Sequence, residues 1–317
     1  MKIAQYLKSQ GIRVPDILKD ERDVQKEDIY SHSRESYQGL ISLSIIEKML
    51  NFVKDEIVPL LLDFYLKRAD PSKKLYLQSD LLNFSCLFTK DRILNNEFEK
   101  VVEQQYLDNT EFLENLINGV RLGLIDIASY EGKTDEGQAI YICDLDQTFI
   151  SIKSNNSYWS LLSFVHEVGH AHYNFINKEE ILTVSSQIVS ELSAYNAELD
   201  FILSLTDIDV QENYLFFYLS QVLLYAYSVQ MTKMMMIKEE VPPNVISDLE
   251  KDYMPWIGGH YGQEWALEQV DLQSLKYLLA RISALYLHRS QVIKTGIRIE
   301  NWEKIEYDRI KQLMEEK

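Results

Sequence analysis

Residues 158–176 read YWSLLSFVHEVGHAHYNFI and contain the pentapeptide HEVGH at 166–170. Apolar residues recur through this stretch at helical spacing, so it predicts an α-helix. On a helix, residues four apart lie on one face and about 6 Å apart along the axis. His166 and His170 can therefore present both imidazoles to one metal ion.

A third ligand is needed, because a catalytic zinc ion takes three protein ligands and keeps a fourth position open. Glu191 follows the motif in ELSAYNAE (191–198), within a second stretch of helical character. A short connection around residues 177–179 should fold that helix back against the first. The sequence therefore predicts one zinc ion held by His166, His170 and Glu191.

Two further acidic residues have predicted roles at this site. Glu167 points to the face beside the histidines, where it can take a proton from a water molecule and later give it to a leaving amine. The ion would lower the pKa of that water and polarise a peptide carbonyl. Glu198 lies seven residues after Glu191 and so returns to the same helix face. We expect it to accept a hydrogen bond from the second ring nitrogen of a ligand histidine, and a solvated Glu198 is the alternative. His172 lies on another face of its helix and is predicted to be a supporting or solvated residue.

The charge of the chain excludes several partners. Its 317 residues carry 32 Lys and Arg against 49 Asp and Glu, which gives a formal charge of −17. Nucleic acid and anionic membranes are disfavoured partners, because phosphates attract cationic side chains. The N-terminus lacks the apolar core of a secretory signal, so a cytoplasmic location is expected. Polar residues interrupt the apolar stretch 214–237, which therefore predicts a buried helix rather than a membrane span.

Composition favours a mostly helical fold, since only 11 Gly and 6 Pro punctuate a chain that is 46% hydrophobic. Residues 141–152, YICDLDQTFISI, alternate β-branched and aromatic side chains and predict one or two short strands. Cys86 and Cys143 have no CxxC partner and are expected to be small buried side chains. We expect a peripheral arm over residues 1–30. Residues 31–317 are predicted to form a single helical domain, with a small β-sheet next to zinc-binding helices at about 158–205.

HEVGHAHY followed by ELSAYNAE resembles the oligoendopeptidase F and thimet oligopeptidase family of zinc peptidases, whose motif is HExGH with a Glu ligand on the next helix. The preceding stretch is similar too, with a Gly-Lys turn at 132–133, a strand that begins at Gly137 and a second strand before the motif. The resemblance implies a zincin-like fold and a zinc metalloendopeptidase that hydrolyses short peptides. Family members are about twice as long, so the chain resembles their catalytic half. In the family, the other half of the chain helps to form the wall of a deep substrate channel. A second copy of this chain could supply that wall, and a strictly monomeric protein in a sedimentation experiment would contradict this hypothesis.

The same resemblance implies where a peptide substrate binds. In the family the substrate backbone pairs with an edge strand beside the metal. Ile140 and Tyr141, in the segment 140–144, are the corresponding residues here, and residues 148–151 are the alternative.

The C-terminal part matches the family less closely. The loop PWIGGHYGQEW (255–265) supplies His260 and Tyr261 as donors to the substrate or the oxyanion, and Gly258 and Gly259 as a mobile clamp. Tyr277 lies in LQSLKYLLARISALYL (272–287), which is similar to the family's Tyr-rich helix, although other positions where the family has Tyr differ. The resemblance implies that Tyr277 also contacts the reacting group.

A second function class stays open, a non-catalytic or weakly active zinc-containing protein that binds peptides. Glu167 argues against it, because a purely structural site needs no base and is usually closed by four protein ligands. A metzincin is disfavoured, because that class requires a His six residues after His170, where the chain has Ile176.

Overall fold

The computed structural model describes residues 43–59, 61–62, 96–130, 133, 137–153, 158–178, 184–206, 208–237, 242–253 and 274–287. The chain divides into two compact units. The first comprises residues 1–26 and 88–201, and the second comprises residues 27–87 and 202–317. The predicted histidine motif belongs to the first unit.

Helices predominate among the described residues. In chain order they are α1 (Leu43–Phe52), α2 (Asn96–Gln105), α3 (Thr110–Arg121), α4 (Tyr158–Asn177), α5 (Val184–Ser204), α6 (Ile208–Ile237), α7 (Pro243–Tyr253) and α8 (Ser274–Leu287). A π-helical turn, Val53–Ile57, follows α1 and comes just before Pro59, a residue type that cannot donate a helical hydrogen bond.

One small sheet lies in the first unit. Its strands are β1 (Ile125–Asp126), β2 (Gln138–Ile142) and β3 (Gln147–Ser151), in the spatial order β1–β3–β2. β3 pairs in parallel with β1 and antiparallel with β2. The prediction of a mostly helical fold with a small β-sheet is therefore confirmed.

The hairpin between β2 and β3 closes through Asp146, which has a left-handed backbone with φ of 49°. Its carboxylate accepts a hydrogen bond from the Tyr141 hydroxyl at 2.7 Å and pairs with Lys178, the residue after α4, at 2.6 Å. These contacts hold the hairpin against the end of the motif helix.

Helix α4 is the central element of the first unit and packs against β2, β3, α2 and α3. The buried apolar residues of α4 include Leu161, Leu162, Phe164, Val165 and Val168. Burial of several large apolar side chains, each worth about 1.5–3 kcal/mol, holds the helix in place. The histidine motif thus sits on a well-packed element rather than on a loop.

The second unit is built around α6, which packs against α7, α8 and the π-helical turn. Tyr214, Tyr218 and Tyr227 of α6 are fully buried, as expected for a helix that is apolar on all sides. Among the residues that the structure describes, no helix has the length and apolar character to cross a membrane.

The structure describes one of the two cysteines that were expected to be buried. Cys143 is exposed, so its prediction as a buried side chain is wrong. The reason is local, because Cys143 begins the 3-10 turn Cys143–Leu145 at the tip of the hairpin. Cys86 and the predicted N-terminal arm lie outside the described residues, and the division into an arm and one domain over 31–317 stays a prediction.

Candidate metal centre

The two motif histidines face each other on α4. The Nε2 atoms of His166 and His170 lie 3.2 Å apart. The Oε2 atom of Glu191, on α5, lies 3.7 Å from each of these nitrogens. All three potential ligand atoms are within 4.8 Å of one another, so the helix spacing and the predicted return of α5 bring the three residues together.

These distances fit a tetrahedral zinc ion. Zinc–nitrogen bonds of about 2.0–2.1 Å place two ligand atoms of a tetrahedron about 3.3 Å apart. The separation of the two imidazole nitrogens is already close to this value, and the carboxylate oxygen needs to move by only a few tenths of an ångström. Two nitrogens and one oxygen are also a donor set that zinc accepts, with a fourth position left for water.

Each of the two motif histidines has a partner at its other ring nitrogen. His166 Nδ1 lies 2.6 Å from Glu198 Oε1, and His170 Nδ1 lies 2.8 Å from Ser190 Oγ. A carboxylate can only accept, so the Nδ1–H of His166 donates to Glu198 and its Nε2 faces the site. The sequence indicated Glu198 but gave no signal for Ser190 beyond its position next to Glu191.

The charges around His166 and His170 favour a positive charge between the two rings. Burial alone would lower the pKa of His166, but the hydrogen bond and charge of Glu198, with the charges of Glu167 and Glu191, raise it to about 9. When both rings are neutral and donate through Nδ1, two nitrogen lone pairs face each other at 3.2 Å. A proton or a metal ion between the rings removes this repulsion, and metal binding would release the proton.

Glu167 is buried beside these residues, with 6% of its surface exposed. Burial raises the pKa of its carboxyl group to about 7, with the charge of His166 opposing the rise and those of Glu191 and Glu198 adding to it. A carboxyl group with a pKa near neutrality can both accept and return a proton. The arrangement therefore combines three side chains that could hold a cation with an adjacent carboxyl group that can act as a base.

The close approach of α4 and α5 depends on Gly169, the fourth residue of the motif. A Cβ atom at this position would lie 2.5 Å from the Ala194 Cα and 2.9 Å from the Ser193 carbonyl oxygen. The Ser193 hydroxyl donates to the Gly169 carbonyl at 2.8 Å across the same contact. Glycine thus lets α5 come near enough for Glu191 to reach the histidines.

His172 is half-buried, and its contacts are with Asn109 and two aromatic rings rather than with the motif histidines, so the prediction of a supporting residue is not confirmed. Its Nε2 atom lies 3.2 Å from Asn109 Nδ2, and its ring packs between Tyr106 and Phe112 at centroid distances of 5.1 and 4.9 Å. The face of α4 that carries His172 is covered by α2 and α3, which the sequence pattern did not reveal. His172 is a packing residue.

The predicted substrate strand lies at an edge of the sheet. Ile140 and Tyr141 belong to β2, whose outer side has no strand partner among the described residues. Residues 148–151 belong to β3, the central strand, which pairs with β2 along its length and with β1 at Ile150 and Ser151. The alternative docking segment is therefore disfavoured, because its backbone is paired with β2 along its length and, at Ile150 and Ser151, with β1 as well.

The remaining predicted residues belong to the C-terminal part. Gly258, Gly259, His260 and Tyr261 lie outside the described residues. Tyr277 lies on α8 in the second unit, where its ring stacks on that of Tyr225 at 5.2 Å and lies beneath the Lys276 ammonium group at 4.4 Å. Their roles in binding substrate stay predictions.

The fold of the chain is similar to the folds of solved peptidase structures. PZ peptidase A, solved with an inhibitor, superposes with a TM-score of 0.61 at 15% identity, over 86% of this chain and 55% of that one. A protein from Bacillus anthracis strain Ames assigned as oligoendopeptidase F gives a TM-score of 0.57 at 15% identity, over 98% of this chain and 54% of that one. Another structure assigned as oligoendopeptidase F gives 0.55 at 14% identity, with coverage of 86% and 54%.

The chain thus spans about half the length of the solved structures that it matches. No protein-family model and no curated protein sequence matches the chain. At such low identity, the likeness shows that the chain has the fold of these peptidases.

Proposed function

We propose that the protein is a zinc-dependent endopeptidase that hydrolyses short peptides. One observation carries this proposal: His166, His170 and Glu191 converge with distances that suit a zinc ion, and the buried carboxyl group of Glu167 lies beside them. The likeness to solved peptidase structures supports it.

In this proposal, different residues bind the ion, orient its ligands and transfer the proton. His166, His170 and Glu191 would hold the ion, and Glu198 and Ser190 orient the two rings. A bound zinc ion supplies a Lewis acid that polarises the peptide carbonyl and acidifies water. Glu167 takes a proton from the attacking water and delivers it to the leaving amine.

The outer edge of β2 is the proposed docking site for the peptide. Alternate residues of an edge strand point their N–H and C=O groups outward, and an extended peptide can pair with them. The side chains of Ile140 and Tyr141 are buried, so at these positions the backbone is the part of β2 available for such pairing. Only an extended chain segment fits this mode, which favours short, unstructured peptides as substrates.

The C-terminal region is proposed to supply further contacts with the substrate. His260, Tyr261 and Tyr277 are proposed to donate to the substrate or the oxyanion, with Gly258 and Gly259 in a mobile loop. Loss of one such donor typically lowers the rate by about a hundred-fold or more. These residues thus bear on efficiency rather than on metal binding.

The test combines metal analysis with a cleavage assay on a quenched fluorescent peptide library. The wild-type protein should contain one zinc ion and cleave peptides, and a chelator should abolish cleavage. Glu167→Gln should keep the zinc and lower the rate by at least about 100-fold, because an amide cannot act as a base. Glu191→Ala should lose zinc and activity together.

Glu114→Gln is the matched control, since it makes the same chemical change at an exposed position on α3 and should change neither readout. Full cleavage by zinc-loaded Glu167→Gln would contradict the assigned base. A zinc-loaded wild-type protein that binds peptides and cleaves none would instead support the non-catalytic peptide-binding alternative.

A further inference from the structure

Gly137 immediately precedes β2 and lies against the motif helix in the first unit. Its backbone does not explain the choice of glycine. Gly123 is the glycine with a positive φ among the described residues, whereas Gly137 has a backbone that other residues also adopt. The reason for glycine at this position must therefore be space.

The space beside Gly137 is filled by Glu167. A Cβ atom built on Gly137 would lie 3.0 Å from both Cγ and Cδ of Glu167 and would collide with its Oε1 atom. Real Cβ atoms essentially never come as close as this one would to Oε1, and contacts of 3.0 Å are tighter than nine in ten real Cβ contacts. The carboxylate thus occupies the place that any side chain at position 137 would take.

The nature of the obstructing atoms determines what a substitution does. At Gly169 a Cβ would meet the backbone of Ala194, so whole helices would have to move. At Gly137 it would meet the end of one side chain, which can rotate while the backbone stays in place. A side chain at position 137 would displace the carboxylate and leave the fold and the three proposed ligands intact.

We infer that Gly137 is a positioning residue for Glu167, and that the missing side chain at the start of β2 fixes where the carboxylate lies beside the metal ligands. The catalytic consequence rests on the proposed function. A shift of about 1 Å in a reacting group can cost about a hundred-fold in rate. The same strand start would then serve the base and lead into the edge proposed to bind the peptide.

The test is a double-variant cycle of Gly137→Ala and Glu167→Asp, measured in the zinc-loaded protein. Aspartate is shorter by one methylene group, so its carboxylate withdraws from Gly137. Gly137→Ala alone should keep one zinc ion per chain and lower kcat by about 100-fold, with a much smaller change in KM. In the Glu167→Asp background, adding Gly137→Ala should leave the residual kcat within about two-fold, because coupled positions are not additive.

The same cycle measured by Tm does not depend on cleavage. Gly137→Ala should lower Tm more beside Glu167 than in the Glu167→Asp background, because only the longer side chain is crowded. Gly119→Ala is the control, since its Cβ would meet the Gln147 side chain at 3.2 Å, away from the ligands, and it should leave kcat unchanged.

The outcomes separate this inference from the proposed function. Equal Tm losses in both backgrounds, or full kcat in Gly137→Ala, would overturn the positioning role. A wild-type protein that holds zinc but cleaves no peptide would remove the catalytic consequence, while the Tm cycle would still decide whether Gly137 positions Glu167.

Discussion

The two histidines proposed as ligands differ in the group that holds each ring. His166 donates to the carboxylate of Glu198 at 2.6 Å, whereas the partner of His170 is the neutral hydroxyl of Ser190 at 2.8 Å. A carboxylate is the stronger acceptor and adds negative charge to the ring, which makes its other nitrogen a better ligand. Glu198 is therefore expected to contribute more to metal affinity than Ser190.

Replacement of these partners should weaken zinc binding in that order. Glu198→Ala should raise the Kd for zinc towards the upper end of about 10–100-fold, and Ser190→Ala towards the lower end. Competition with a chromophoric chelator measures both values. Glu198→Gln is the matched control, because its amide oxygen can still accept the Nδ1 proton, so its loss should be smaller. An unchanged Kd in Glu198→Ala would contradict the role of Glu198.

At the scale of elements, the contact between α4 and α5 sets the geometry of the site. Gly169→Ala should push the helices apart, because its Cβ would lie 2.5 Å from a backbone atom that cannot rotate away. We expect a loss of about 1–3 kcal/mol in the free energy of unfolding and weaker zinc binding as Glu191 moves off the histidines. Chemical denaturation and zinc titration measure the two effects.

Gly119→Ala again serves as the comparison for Gly169→Ala. Gly119 lies inside α3, where alanine has the higher helix propensity and the nearest atom belongs to a side chain. It should be neutral or slightly stabilising. A Gly169→Ala variant with wild-type stability and zinc affinity would show that the helices do not need glycine to approach.

Sequence periodicity was sufficient for contacts within an element and weaker for contacts between elements. The four-residue spacing of His166 and His170 predicts a shared face because a helix has only one geometry. The pairing of His170 with Ser190 and the crowding of Glu167 against Gly137 depend on how separate segments pack. The surroundings of His172 depend on packing in the same way, since Tyr106, in the turn after α2, and Phe112 of α3 lie against its ring.

At the scale of the whole molecule, the proposed ion should stabilise the first unit most directly. A ligand that binds only the folded state raises its stability by about 2.7 kcal/mol at one hundred times Kd. A chelator should therefore lower Tm and speed amide exchange in α4 and α5, with smaller changes in α6 and α8 of the second unit. Hydrogen exchange followed by mass spectrometry measures this pattern. Glu191→Ala should show no further change with chelator, and equal acceleration in both units would contradict the expectation.

For the whole molecule too, features that depend on local sequence were predicted, and features that depend on contacts between distant segments were not. Composition and the helical spacing of residues 158–176 were enough for a mostly helical fold, because they depend on local preference. The order β1–β3–β2 was not foreseeable, since β1 has only two residues and its partner in β3 lies 25 positions further along the chain. That order nevertheless leaves the outer edge of β2 without a strand partner among the described residues.

Two imidazoles whose Nε2 atoms already lie 3.2 Å apart do not discriminate strongly among transition ions. Affinity at nitrogen and oxygen ligands generally rises from manganese to copper, with nickel above cobalt, so supply rather than preference determines what is bound. A polyhistidine-tagged sample eluted from a nickel resin is thus liable to carry nickel leached from the column. Its elemental composition would then record the purification rather than the cell. Tag-free material, or protein stripped and reloaded with a defined ion, avoids this artefact.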